Sequence, residues 1–112
     1  MDYEVMLIDQ AVGFLRKLSL NMRAKVFRTI ELLKTFGPNL TEPYSKSMTG
    51  YRELKELRVK LGNTICRLFY FHFKGNIYIV TSGFIKKKQK TDKREIDKAV
   101  KLMNEFKEGE KK

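Results

Sequence analysis

The 112-residue sequence has one cysteine, one histidine and only 13 carboxylates against 24 lysines and arginines. It also lacks any apolar run of roughly 18 residues, the length a membrane-spanning helix requires. Each shortage excludes something. The lone Cys66 cannot close an internal disulfide and has no partners for a zinc site, which fits a reducing compartment; it reads as an inert small hydrophobe within a strand. The chain opens with Asp2 and Glu4 rather than a basic, then apolar, leader, so no signal peptide and a cytoplasmic location are expected. No carboxylate or His/Cys cluster has ligand spacing, so neither a metal nor another cofactor is expected.

The shortage of carboxylates leaves a net charge of +11 and a pI near 9.8. That balance points to nucleic acid, a ribosome, an anionic membrane surface or an acidic protein. A membrane surface calls for a basic amphipathic helix on an otherwise polar chain, whereas apolar residues here make up 42% of the sequence and are spread along it as core. The length suits one domain spanning residues 1–112, large enough for a core without disulfide or metal staples.

Tyr3 to Ile8 reads as a largely buried strand, and Asp9 offers an N-cap to a short helix with Ala11, Phe14, Leu15 and Leu18 on one stripe. Ser19 caps a second helix whose stripe is Met22, Val26, Phe27, Ile30 and Leu33, ending at Gly37-Pro38. Burying five such side chains contributes about 8 to 15 kcal/mol before conformational entropy, so these stripes belong to the core. Residues 38–50 contain both prolines, Pro38 and Pro43, and read as a loop. From Arg52 to Leu61 the sequence alternates, with Leu57, Val59 and Leu61 on a dry face and Glu56, Arg58 and Lys60 on a wet one. Gly62-Asn63 and Lys74-Gly75-Asn76 then separate two further strands, Ile65–Phe73 and Ile77–Thr81, giving an antiparallel meander. Asp92 and Glu95 have capping-box spacing before a last stripe of Ile96, Ala99, Val100, Met103 and Phe106, with fraying expected from Lys107. The expected fold class is α+β, a small, mostly antiparallel sheet with an N-terminal helical hairpin on one face and a C-terminal helix, all packed on the same side.

The densest charge lies between the last strand and the last helix. From Lys86 to Arg94 there are six cations and one carboxylate, Asp92, so nine residues carry a net +5. Such runs are usually solvated surface. Here the flanking strand and helix would hold the run in place against a polyanion.

Three stretches stand out: Lys46 to Gly50 followed by Glu56-Leu57-Arg58; Cys66-Arg67-Leu68-Phe69-Tyr70-Phe71 with its turn at Gly75; and Gly83-Phe84-Ile85-Lys86-Lys87-Lys88-Gln89-Lys90-Thr91, followed by Glu95-Ile96 and Ala99. In these the chain resembles the RelE/HigB superfamily of toxin endoribonucleases, and within it the phage-derived HigB-like group. The chain departs from the pattern at Lys55, where an aromatic is usual, and at Lys88, where threonine is usual. The resemblance implies a RelE-like fold, an enzyme that cleaves mRNA, commonly at the ribosome, and a helix-turn-helix antitoxin as partner.

Metal-free RNA cleavage uses the neighbouring 2′-hydroxyl as nucleophile and needs a proton acceptor, charge stabilisation at the phosphate and a proton donor. Arg58 and Arg67 suit the stabilising role, because guanidinium forks bind phosphate oxygens and do not deprotonate. If the two face each other across the hairpin at Gly62, both can address one phosphate; otherwise Arg58 is a rim charge and Arg67 a satisfied strand residue. Proton transfer falls to a lysine, a tyrosine, Glu56 or His72. Crowding of cations lowers lysine pKa values, and the resemblance singles out Lys87 and Lys90, with Lys46 as a further candidate. Lys46, Lys86, Lys88, Lys93 and Arg94 are expected to bind RNA or meet the antitoxin. His72 has the opposite strand parity from Arg67 and reads as structural. Tyr51 and Tyr70 can stack on a base, although Tyr70 reads as core, as do Phe69 and Phe71 on Arg67's parity. Two other readings remain: a noncatalytic nucleic-acid-binding or phage regulatory protein, and a basic partner of an acidic protein.

Overall fold

The computed structural model describes residues 2–86 and 92–110. The elements run β1 (Glu4–Leu7), α1 (Asp9–Arg16), α2 (Leu20–Phe36), β2 (Ser45–Met48), β3 (Tyr51–Leu61), β4 (Thr64–Lys74), β5 (Ile77–Lys86) and α3 (Lys93–Glu110), with a 3-10 turn at Gly37–Asn39. The five strands form one sheet in the order β1-β5-β4-β3-β2. Its pairs are antiparallel except β1 with β5, which is parallel because α1 and α2 carry the chain away before it returns.

The local signals hold well for the helices. The Ser19 hydroxyl accepts from the Met22 amide at 3.2 Å, and Asp92 accepts from the Arg94 amide at 2.9 Å, so both caps neutralise otherwise orphaned donors. Asp9 instead enters the first turn of α1; Ile8 takes the cap position without a side-chain bond. The Arg23 guanidinium donates to the carbonyls of Leu15, Arg16 and Leu18, closing α1 and fixing the bend into α2.

Two cores sandwich the sheet. On one face Leu15, Met22, Val26, Ile30 and Leu33 pack against Leu57, Val59, Cys66, Leu68, Tyr70 and Val80. On the other, Ile96, Ala99 and Met103 cover Leu54, Phe69, Phe71 and Ile79. Thus α3 does not join the helical hairpin: its single apolar stripe covers the opposite face, and the alternating sides of β3 and β4 are both dry. The helix continues to Glu110 rather than fraying from Lys107, because Lys107 pairs with Glu53 and lies over the Phe71 ring at 5.5 Å.

Other boundaries differ for physical reasons. Phe27 is exposed while Thr29 is buried, its hydroxyl donating to the Lys25 carbonyl at 3.0 Å. Part of the proline-bearing loop becomes the edge strand β2, fastened by a 2.5 Å Ser45–Tyr70 hydroxyl contact. Strand β1 is an edge strand with Glu4 and Met6 exposed, so its mixed alternation marks partial cover. Leu61, at the end of β3, emerges into solvent. A Cβ at Gly83 would come 2.6 Å from the Phe14 ring and 2.8 Å from the Arg67 carbonyl oxygen, so close contact of α1 with β5 requires glycine there. Among the described residues, no helix is long and apolar enough to cross a membrane.

Burial pushes the Cys66 thiol from its ordinary 9.0 up to about 12. The native protein is therefore expected to resist a thiol reagent at pH 8 and to react fully in denaturant. Because the folded state holds the proton more tightly, this contribution to stability is present below about pH 9 and disappears as pH rises towards about 12. Rapid native-state labelling at pH 8 would contradict this packing.

Candidate functional site

The hairpin at Gly62 sets β3 against β4 with Arg58 directly opposite Arg67 and Glu56 opposite Phe69. Directly opposed residues share a face, so both arginines point to the side covered by α3. Glu56 lies two residues before Arg58 and therefore on the same side. Its Oε1 accepts from Arg58 Nε at 2.7 Å and from Arg67 Nη1 at 3.3 Å. The side chains of Glu56 and Arg67 are 0% exposed, whereas that of Arg58 is 24% exposed.

This corrects the wet face assigned to Glu56. The carboxylate is interior, and it is paired there with two guanidinium groups. Burial pulls the Arg67 pKa below the ordinary arginine value; the Glu56 carboxylate opposes that shift and the Arg58 cation adds to it. The three side chains sum to one positive charge, focused at the surface through Arg58. Arg67 is flanked by Phe84 on β5 as well as Arg58 on β3, and Phe84 stacks on Phe69 at 5.8 Å between ring centroids. The cluster is thus walled by aromatic rings that exclude water and strengthen its field.

Lys46 on β2 is directly opposite Glu56, which brings its position to the same face at the sheet edge. Lys86 ends β5 opposite Ile65, two residues along β4 from Arg67. Lys87, Lys88 and Lys90 lie outside the described residues. Lys93 and Arg94 open α3, where they pair with Asp97 at 2.9 Å and Asp92 at 3.5 Å. The hydrogen bond to Asp97 raises the pKa of Lys93, so it persists as a cation and suits charge attraction rather than proton abstraction.

The remaining candidates divide cleanly. Tyr70 is buried in the core facing α1 and α2, where burial raises its pKa. Phe69 and Phe71 are wholly buried under α3. His72 is exposed, its Nε2 2.7 Å from the Gly75 carbonyl oxygen and its ring 5.4 Å from that of Tyr78, a turn-stabilising arrangement. Tyr51 packs partly against the α3 core. Among the described residues, no group of three His, Cys, Asp or Glu side chains is arranged to hold a metal. The feature that sequence reasoning weighed least was Glu56 as an anchor; its i, i+2 relation to Arg58 was the available signal.

The fold is similar to that of an arginine double mutant of the E. coli toxin RelE in the free state, at a TM-score of 0.65 and 21% identity, covering 90% of this chain and 97% of that one. It is also similar to the archaeal RelE in a RelE–RelB complex from Pyrococcus horikoshii, at a TM-score of 0.53 and 19% identity over 74% of this chain and 93% of that one. A chain of the RelB–RelE antitoxin–toxin complex from Methanococcus jannaschii matches at a TM-score of 0.51 and 16% identity, covering 70% of this chain and 87% of that one. No curated protein matches the sequence. Residues 13–104 match the family described as phage derived protein Gp49-like (DUF891). With a RelE-like sheet and a match over most of its length, the chain belongs to the phage-derived Gp49-like family.

Proposed function

We propose that the chain is the toxin of a type II toxin–antitoxin system of the HigB-like group, one domain acting in the cytoplasm as a metal-independent mRNA endoribonuclease at the ribosome. The observation that carries this reading is the Arg58–Arg67 pair, placed face to face by the β3–β4 register and held by one carboxylate. RelE chains of the same fold in complexes with RelB support an antitoxin partner for this chain, which we take to be of the helix-turn-helix type.

In the proposed reaction the 2′-hydroxyl oxygen attacks the adjacent phosphorus while the bond from phosphorus to the 5′-oxygen breaks. The products are a 2′,3′-cyclic phosphate and a 5′-hydroxyl. Arg58 meets the phosphate oxygens, and the buried Arg67 behind it fixes the local field. Direct contact between a phosphate and Arg67 requires displacement of its covering side chains. One base must take the 2′-hydroxyl proton and one acid must protonate the leaving oxygen; Lys87 and Lys90 are proposed for these steps, with Lys46 at the neighbouring edge. Lys86, Lys88, Lys93 and Arg94 would guide the RNA backbone.

The burial of Arg67 against Glu56 favours one other reading, in which the cluster is structural and the protein binds nucleic acid without cutting it. That protein would bind single-stranded RNA with affinity falling by about 0.7 logarithmic units per tenfold salt for each phosphate neutralised, yet leave the RNA intact.

Arg58→Ala is expected to keep the fold, lower RNA cleavage by about 10²–10³-fold and abolish growth arrest on induction. Failure of the wild type to cleave RNA with or without ribosomes rejects the endoribonuclease. Arg67→Ala is expected to destabilise the protein by about 3–5 kcal/mol, because Glu56 loses a buried partner, measured as a lower denaturant midpoint. An unchanged midpoint would show that the Glu56–Arg67 pair does not hold the sheet together.

A further inference from the structure

We infer that the recess between α2 and the unpaired end of β3 is a nucleobase subsite, seating one unstacked base of single-stranded RNA beside the phosphate at Arg58. The ligand class rests on the function proposed above. Strand β2 reaches only to Ser45, opposite Leu57, so among the described residues β3 from Arg58 onward has no strand neighbour on that side. The Arg58 amide donates to the Tyr44 carbonyl at 2.9 Å, which pins the preceding turn across the strand edge. The Lys25 ammonium reaches over to the Lys60 carbonyl and closes the far side.

The result is a recess of about 300 Å³ whose walls include Thr29, Pro43, Tyr44, Val59 and Ile65. This lies at the lower end of ligand-pocket volumes, suited to one aromatic ring system rather than a folded element. Its charged lining is entirely cationic, from Lys25, Arg58 and Lys60. Tyr44 is 45% exposed, so its ring remains available to a ligand. A ring-sized recess with an accessible aromatic, apolar walls and a cationic rim matches a nucleotide: a flat base with π-faces joined to phosphate on either side. Arg58 lines this recess at the sheet edge while its guanidinium turns to Glu56 on the α3 side, so a base seated here would lead its phosphate round the edge to the arginine pair and set which phosphodiester meets it. The subsite therefore positions substrate and selects the cut without touching the reacting atoms.

Amide NMR of the full chain titrated with adenosine or cytidine 5′-monophosphate, and separately with inorganic phosphate, tests this. Saturable shifts at Thr29, Tyr44, Val59 and Ile65 are expected with a nucleotide and not with phosphate. Tyr44→Ala should weaken nucleotide binding about tenfold, the scale of one lost base–aromatic stack, while Tyr44→Phe should retain it within about twofold. On RNA, Tyr44→Ala should raise KM about tenfold with kcat retained, as for a contact equally strong before and during reaction. Equal shifts with phosphate and nucleotide, or unchanged binding and KM in Tyr44→Ala, would overturn the subsite even if the wild type cleaves RNA. Conversely, nucleotide shifts lost in Tyr44→Ala together with no RNA cleavage by the wild type would retain the subsite and reject the endoribonuclease.

Discussion

Oxygen Oε1 of Glu56 accepts from two arginines inside a sheet covered on both faces. Desolvating a carboxylate and a guanidinium costs several kcal/mol each, so their tolerance in the interior depends on this geometry. Removing Glu56 would leave the Arg67 guanidinium buried beside a second cation with no carboxylate between them, whereas removing an exposed pair such as Lys93–Asp97 changes little. The arginine positions, and with them the candidate phosphate site, therefore depend on the register of one hairpin. A slip of β3 by a single residue would turn Glu56 and Arg58 toward the other core and away from Arg67.

That register is itself held from both sides. Leu57, Val59, Cys66 and Leu68 lock it against α1 and α2, while Leu54, Phe69 and Phe71 lock it against α3. The sheet edge is treated differently. Strand β2 covers only part of β3, leaving the far end to the Tyr44 turn and Lys25, which is why a rigid charged interior can border an accessible recess. Rigidity in the hairpin and openness at its edge are complementary properties of a site that must fix a phosphate yet admit a long, flexible chain.

Much of the scaffold was legible from local pattern. Ser19 and Asp92 mark the starts of α2 and α3, and the three and four spacings of Met22, Val26, Ile30 and Leu33 identify a buried helical stripe. The limits were equally local. Val26 and Phe27 both fit an apolar stripe, but they lie about 100° apart on a helix, and the sheet covers only the first. Strand β2 escaped notice because four residues of edge strand with serine and lysine carry no apolar alternation. Glu56 looked solvated because charge on an alternating strand ordinarily marks the wet side, and no neighbouring residue reveals that a distant helix will cover it.

By itself the sequence determined the three helices and the long strands, the basic character and the shared parity of Glu56 and Arg58, because caps, periodicity and charge are properties of residues close along the chain. Tertiary structure alone decided that α3 covers the face opposite α1 and α2, that Arg67 is interior while Arg58 reaches solvent, and that a turn from one part of the chain meets a helix and a strand end around a recess. Alternation says which side chains share a face; only packing between distant segments says which faces lose water, and the loss of water gives the buried charges their energetic weight.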